Sequence, residues 1–237
     1  MLNVLKGKRK NGRSVVNLEI DGKKRLATRN FTPGKKTYDE MLVTLDGIEY
    51  RIWDQFRSKL AAALINGLKS LPLISGSHVL YLGVSTGTTA SHISDIIGSN
   101  GLLFGVEIAQ RVAREFIDRV VKDRDNVIPV VADARIPETY VALHGKVDLI
   151  YCDIAQQTQT EIAIKNSNKY LREGGALLLV VKSRSIDVTR NPKKIFKEEA
   201  NKLDKSGFEV RQVVNLHPYD KDHAMIYAVI QPTQKIR

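Results

Sequence analysis

The chain has 237 residues, of which 43% are apolar and 27% charged, enough for one large buried core with a small appendage. Its single cysteine, Cys152, excludes an internal disulfide framework and fits a reducing cytoplasmic compartment. Apolar runs such as residues 60–65 and 176–181 fall far short of the roughly 18–20 needed to span a membrane, and residues 1–6 carry no apolar signal core, so neither a membrane nor secretion is expected.

The net charge of +11 is unevenly distributed. Residues 1–37 hold eleven Lys and Arg against Glu19 and Asp21, a local net of +9. Such density attracts polyanions through counterion release, which points to a nucleic acid; the alternative is a solvated basic face. Few aromatics lie among these basic residues, Phe31 and Tyr38 being the nearest, so base stacking is thinly provided for and backbone and shape contacts are expected.

In chain order, residues 14–20 and 23–28 flank Asp21-Gly22, and residues 41–45 and 48–53 flank Asp46-Gly47. Asp-Gly supplies the positive φ angles of a tight turn, so both read as hairpins. A basic loop over residues 32–36 lies between them, and a small β domain is expected over residues 1–52, with the second domain over 53–237. Asp54 is placed as the N-cap of a helix running to Gly67, with Phe56, Leu60, Ala63 and Leu64 on one apolar stripe and Lys59 off it.

Strands near 78–83, 102–107, 127–132, 147–153 and 176–182 then alternate with helical patterns such as 110–121 and 158–171, predicting a doubly wound parallel sheet. After a helix near 192–206, the apolar runs 208–216 and 224–230 are joined through Pro218-Tyr219-Asp220-Lys221-Asp222-His223. That link is too short for a crossover helix, so these strands pair antiparallel. The expected fold is α/β and Rossmann-like, a seven-stranded sheet with its last strand antiparallel, as in class I S-adenosylmethionine-dependent methyltransferases.

Gly83-Val84-Ser85-Thr86-Gly87-Thr88-Thr89 follows the first of these strands, and Glu107 closes the next. A strand ending at glycines before a helix lets backbone approach a nucleotide, and the carboxylate can accept from a ribose diol. The spacing is Gly-x-x-x-Gly and not the Gly-x-Gly-x-x-Gly that makes room for a pyrophosphate, which suits S-adenosylmethionine. Polar residues collect at the carboxyl ends of the strands: Gly83, Glu107, Asp133-Ala134, Asp153 and Lys182. A charge directly after a buried strand, as at Asp153, is costly unless a ligand or partner uses it. Partial desolvation at Lys182 would lower its amine pKa toward useful basicity, the alternative being a snorkelling lysine. His223 is the histidine that can face the crevice, whereas His78, His92, His144 and His217 read as ordinary strand, helix or loop residues. No Cys or His cluster has metal-ligand spacing, so no metal is expected.

At this point the sequence resembles the fibrillarin family, in the short form without a Gly/Arg-rich tail. The resemblance rests on Tyr50-Arg51-Ile52-Trp53-Asp54, Arg57-Ser58-Lys59-Leu60-Ala61-Ala62, Leu80-Tyr81-Leu82-Gly83 with Gly87-Thr88-Thr89, His92-Ile93-Ser94-Asp95, Asp133-Ala134-Arg135, Asp153-Ile154-Ala155-Gln156 and Asp222-His223-Ala224. It covers nearly the whole chain, with Gln55 in place of a usual proline and Val84-Ser85-Thr86 in place of Ala-Ala-Ser.

The resemblance implies an S-adenosylmethionine-dependent RNA 2′-O-methyltransferase acting on rRNA and tRNA. Thr88 and Thr89 would lie beside the methionine part of the cofactor, Glu107 would hold its ribose, Ile108 and Ala134 would flank the adenine, Asp133 would bond the adenine amino group, and Asp153 with Gln156 would line the methyl-donor end. It implies a catalytic set of Lys59, Asp153, Lys182 and His223. It also implies work within a C/D-type guide-RNA particle, with a Nop-domain scaffold protein and a kink-turn-binding ribosomal-type protein. The rival readings are a methyltransferase of protein side chains, a nicotinamide oxidoreductase, which the glycine spacing and terminal hairpin disfavour, and a noncatalytic RNA-binding subunit, which needs none of the four catalytic residues.

Overall fold

The computed structural model describes residues 4–5, 14–140, 143 and 145–231. Lys6, Lys8, Arg9, Lys10 and Arg13 of the basic segment, and His144, lie outside the described residues.

Asp21 and Asp46 take φ of 49° and 52°, and the glycines after them take 72°, the pair of left-handed residues that a two-residue hairpin turn requires. They join β2 (Val15–Ile20) to β3 (Lys23–Arg29) and β4 (Leu42–Leu45) to β5 (Ile48–Ile52). With β1 (Val4–Leu5) these form a five-stranded antiparallel sheet in the order β1-β2-β3-β5-β4. One face buries Leu18, Ile20, Ala27, Val43 and Tyr50 as a small core.

The first helix begins later than the sequence predicts. Asp54 accepts a hydrogen bond from Phe56 N at 2.8 Å, an Asx turn, and the helix α1 is Lys59–Ile65 with Ser58 as its N-cap. A tertiary contact selects Ser58: its buried hydroxyl lies 2.9 Å from Thr89 Oγ1. Phe56 is therefore not on a core stripe but 66% exposed.

The second sheet comprises β6 (His78–Leu82), β7 (Leu102–Glu107), β8 (Val127–Val131), β9 (Val147–Cys152), β10 (Leu171–Lys182), β11 (Phe208–Asn215) and β12 (His223–Ile230). Between them run α2 (Thr88–Ile97), α3 (Gln110–Arg119), α4 (Gln159–Tyr170), α5 (Ser183–Ile186) and α6 (Pro192–Lys205). The order is β11-β12-β10-β9-β6-β7-β8. Strands β10, β9, β6, β7 and β8 are mutually parallel, and β12 is antiparallel to both β10 and β11, as the short final connection predicts. β10 starts at Leu171 and not at residue 176, with a register shift between Leu171 and Ala176 around Gly174-Gly175. Leu177 to Val181 are wholly buried, as expected for a strand covered by helices on both faces. No described helix is long and apolar enough to cross a membrane.

A buried polar cluster joins the two sheets. The Arg51 guanidinium reaches Glu40, Asp95 and Ser91, and Arg124 reaches the other oxygen of Asp95 at 2.7 Å. Two arginines and two carboxylates balance charge where an unpaired ion would be costly. His92, far from an ordinary helix residue, is fully buried and stacks on Trp53 with ring centroids 4.7 Å apart. Thr28 donates its one hydroxyl proton to Asp95, so His92 Nδ1 donates to Thr28 Oγ1 and Nε2 accepts from Tyr38. Burial, with Arg51 and Arg124 nearby, holds the His92 pKa well below 6.5 and keeps the ring neutral.

Candidate active site

The order of strands reverses at β6, which lies between β9 and β7, and ligands of open α/β sheets bind at the carboxyl ends beside such a switch point. Here the carboxyl ends of β6 and β9 touch. Asp153 N donates to Leu82 O at 2.9 Å, and a Cβ on Gly83 (φ +76°) would meet Asp153 O at 2.8 Å. Gly87 (φ +91°) serves a different contact, since a Cβ there would lie 2.5 Å from Phe116 and Val120 of the neighbouring α3 segment. The Gly-x-x-x-Gly spacing is thus set by packing of the turn, with no phosphate cradle.

A cavity of about 340 Å³ opens beside this turn, within the size range of small-molecule sites. Its lining includes Gly83, Glu107, Ile108, Asp133, Ala134, Asp153, Gln156 and Lys182. Both oxygens of Glu107 are oriented by backbone amides, Ser85 N at 3.0 Å and Ala109 N at 2.9 Å, leaving lone pairs free to accept from a diol. Ile108 is 59% exposed and offers an apolar surface next to that carboxylate. Arg135 grips the Asp133 carboxylate through its side chain and backbone amide, chiefly the side-chain bond holding its pKa below the ordinary value.

Thr88 and Thr89 are not among the residues lining the cavity. Thr89 is buried, and its hydroxyl is engaged by Ser58, so it ties α1 to α2.

At the mouth of the cavity the four expected catalytic residues come together from separate elements. Lys182, the last residue of β10, sets its Nζ 2.8 Å from Asp153 Oδ1 and donates to Asp153 O at 3.1 Å. Lys59, the first residue of α1, sets its Nζ 3.2 Å from Asp153 Oδ2. The same ammonium lies 3.7 Å from Asp220, whose Oδ1 is 2.8 Å from His223 Nδ1. A continuous chain results: Lys182, Asp153, Lys59, Asp220, His223.

Two members of this arrangement were missed in the sequence. Asp220 sits in the β11–β12 loop, and its spacing of three from His223 was the available signal. Burial raises the Asp220 pKa, but the His223 bond and the charges of Lys59 and Lys182 outweigh it, so the group is held below 3.8. Gln159, fully buried at the start of α4, brackets the Lys182 backbone by accepting from its N at 3.2 Å and donating to its O at 3.4 Å. Among the described residues, no three His, Cys, Asp or Glu are grouped to hold a metal ion.

Chemically, the site places two ammonium groups on one carboxylate at the edge of a cavity suited to an adenosine. A hydroxyl entering there meets fixed charges able to orient it and to handle its proton.

Known proteins share this architecture. The sequence model described as Fibrillarin matches residues 6–232. A fibrillarin-like rRNA/tRNA 2′-O-methyltransferase of Aeropyrum pernix is 50% identical over 217 residues, 92% of each chain. The crystal structure of Aeropyrum pernix fibrillarin with natively bound S-adenosyl-L-methionine superposes with a TM-score of 0.88 at 47% identity, covering 97% of this chain and 100% of that one. The fibrillarin chain of a fibrillarin/Nop5p complex gives 0.79 at 36% identity, covering 91% and 97%.

Proposed function

The chain belongs to the fibrillarin family, and we propose that it methylates ribose 2′-hydroxyls of rRNA and tRNA as the catalytic subunit of a guide-RNA particle. The observation that carries the reading is the Lys182–Asp153–Lys59 ion-paired chain at the mouth of the cavity.

The cavity fits S-adenosylmethionine by its own chemistry: Glu107 for the ribose diol, Ile108 and Ala134 for the adenine faces, Asp133 for the amino group, and Asp153 with Gln156 toward the donor end. When bound, this cofactor supplies an electrophilic methyl group. The protein residues do the rest. A ribose hydroxyl is a poor nucleophile at neutral pH, so positioning has to supply much of the acceleration, and proton handling contributes about 10²–10⁴-fold. Lys182 bears on the hydroxyl, orienting it as the ammonium or taking its proton once it is the neutral amine. Asp153 fixes the Lys182 ammonium, Lys59 holds Asp153 from the opposite side, and Asp220 with His223 anchors Lys59.

The fibrillarin/Nop5p complex supports a Nop-domain scaffold protein as partner. A C/D-type guide RNA and a kink-turn-binding protein complete the particle in this reading, with pairing to the guide choosing the nucleotide. Lys23, Lys24 and Arg25, exposed at the start of β3, would meet RNA phosphates.

The test is transfer of radiolabelled methyl from S-adenosylmethionine to a target RNA by the assembled particle, comparing wild type with Lys182→Ala. Label at one guide-specified ribose, falling at least 10²-fold in the variant while the cofactor still binds, supports the reading. Label that survives ribonuclease would instead identify a protein substrate.

A further inference from the structure

We propose that Phe56 is a stacking platform for a nucleobase of the RNA strand being methylated, placed next to the nucleotide whose ribose enters the site. The proposal rests on the RNA-methylating reading above and adds a binding subsite to it.

Phe56 is the one exposed aromatic residue among the described residues, at 66%. The aromatics that the sequence placed nearest the basic segment do not serve: Tyr38 is buried with its hydroxyl on His92, and Phe31 is half-buried. A single exposed apolar residue is ordinary on a protein surface, but this one is an aromatic ring fixed by its neighbours beside the charged chain, with a face open to a base. Phe56 is held in this way. Its backbone N is fixed by Asp54, and its ring meets Tyr219 edge-to-face with centroids 5.2 Å apart and planes at 78°.

Both ring neighbours lead directly to the charged chain. Phe56 precedes Lys59 by three residues, at most about 10 Å of extended backbone, and Tyr219 precedes Asp220. A strand that sets one ribose against Lys182 and Asp153 therefore passes beside this ring.

The surroundings select a base over a phosphate or an apolar protein side chain. Phe56 borders a cavity of about 490 Å³ whose walls include apolar Met41 and Ile52, cationic Lys23 and Arg25, and anionic Asp21, Asp39 and Asp54. Mixed polar edges around an apolar wall match a planar base with donors and acceptors on its rim, while Lys23 and Arg25 suit the phosphates that accompany it. Stacking tolerates any base, which accords with site choice by guide pairing.

The experiment places 2-aminopurine in the target strand beside the methylated nucleotide and follows its fluorescence and methyl transfer in the assembled particle. In the wild type, docking quenches the fluorophore. Phe56→Ala is expected to remove the quench and weaken productive target binding roughly 5- to 150-fold, the effect of one lost base–aromatic stack, with cofactor affinity unchanged. Phe56→Tyr restores both signals, and Phe56→Leu restores neither. Full recovery in Phe56→Leu would show that the side chain only packs on Tyr219 and would overturn the proposal. So would an unquenched fluorophore in a wild-type particle that methylates its target, or a Phe56→Ala defect confined to capture of the scaffold protein. Absence of methyl transfer to RNA in the wild type would instead overturn the reading beneath it.

Discussion

Lys182 and His223 face each other as register partners across β10 and β12, so one antiparallel strand pair fixes both ends of the charged chain in the site. This gives the inverted strand a functional consequence. A parallel seventh strand would begin at the opposite edge of the sheet, whereas β12 starts at the carboxyl end of β10. It brings the preceding loop with it, and that loop carries Asp220 to a point between His223 and Lys59.

Asp220 should therefore act as a positioning residue. Asp220→Ala removes the only carboxylate linking His223 to Lys59 in the described chain of contacts, while Lys59 keeps Asp153. Hydrogen bonds to charged groups contribute about 1.5–3 kcal/mol, so turnover in the assembled particle should fall about 10- to 150-fold. Asp220 is not among the residues lining the cofactor cavity, so calorimetric binding of S-adenosylmethionine should be unchanged. Asp220→Glu should recover most of the rate. An equal loss of cofactor affinity in Asp220→Ala would mean a general collapse of the site instead.

The legible parts of this molecule were those written locally. The Asp-Gly turns, the apolar strands and the short final connection each state their geometry within a few residues, and the sheets follow from them. Polar residues at strand ends marked Glu107, Asp153 and Lys182 because a buried strand gives a charged terminus few other uses. What was illegible depends on contacts across the sequence. Asp54 and Ser58 are equally good cap types, and only the Ser58–Thr89 contact decides between them, which also decides that Phe56 is exposed. Arg51, Asp95 and Arg124 read as ordinary charges until folding buries them against one another. The contact of the Thr89 hydroxyl with Ser58 likewise appears only once α1 is in place.

Acid should weaken the joint between the two sheets before it titrates any carboxylate. The folded-state pKa of His92 lies well below its ordinary 6.5, so below that pH the unfolded chain binds a proton that the folded chain does not. The sign follows: stability from His92 is complete above about pH 7 and declines as pH falls through 6.5, by up to about 1.4 kcal/mol per pH unit. Glu40 and Asp220 have folded pKa values lowered from 4.5 and 3.8, so their contributions are lost only at lower pH. Urea midpoints measured from pH 7.5 to 5 should fall steadily. His92→Gln should be less stable at pH 7.5 but show a shallower slope; an unchanged slope would remove His92 as the cause.

Gly83 offers a way to separate backbone strain from displacement of the site. At φ +76° an alanine is strained by about 1–2 kcal/mol wherever it sits, and here its Cβ would also lie 2.8 Å from the Asp153 carbonyl, a backbone atom that cannot swing aside. Gly22 has nearly the same φ, +72°, with nothing within 4 Å of the added atom. Gly22→Ala should therefore lose about 1–2 kcal/mol in denaturant unfolding and keep full activity. Gly83→Ala should lose more stability and also push Asp153 away from Lys182 and Lys59. A misplacement of about 1 Å costs about 10² in rate, so turnover should drop about 100-fold and cofactor affinity should fall with it. Equal behaviour of the two alanine variants would show that the contact between the ends of β6 and β9 does not position Asp153.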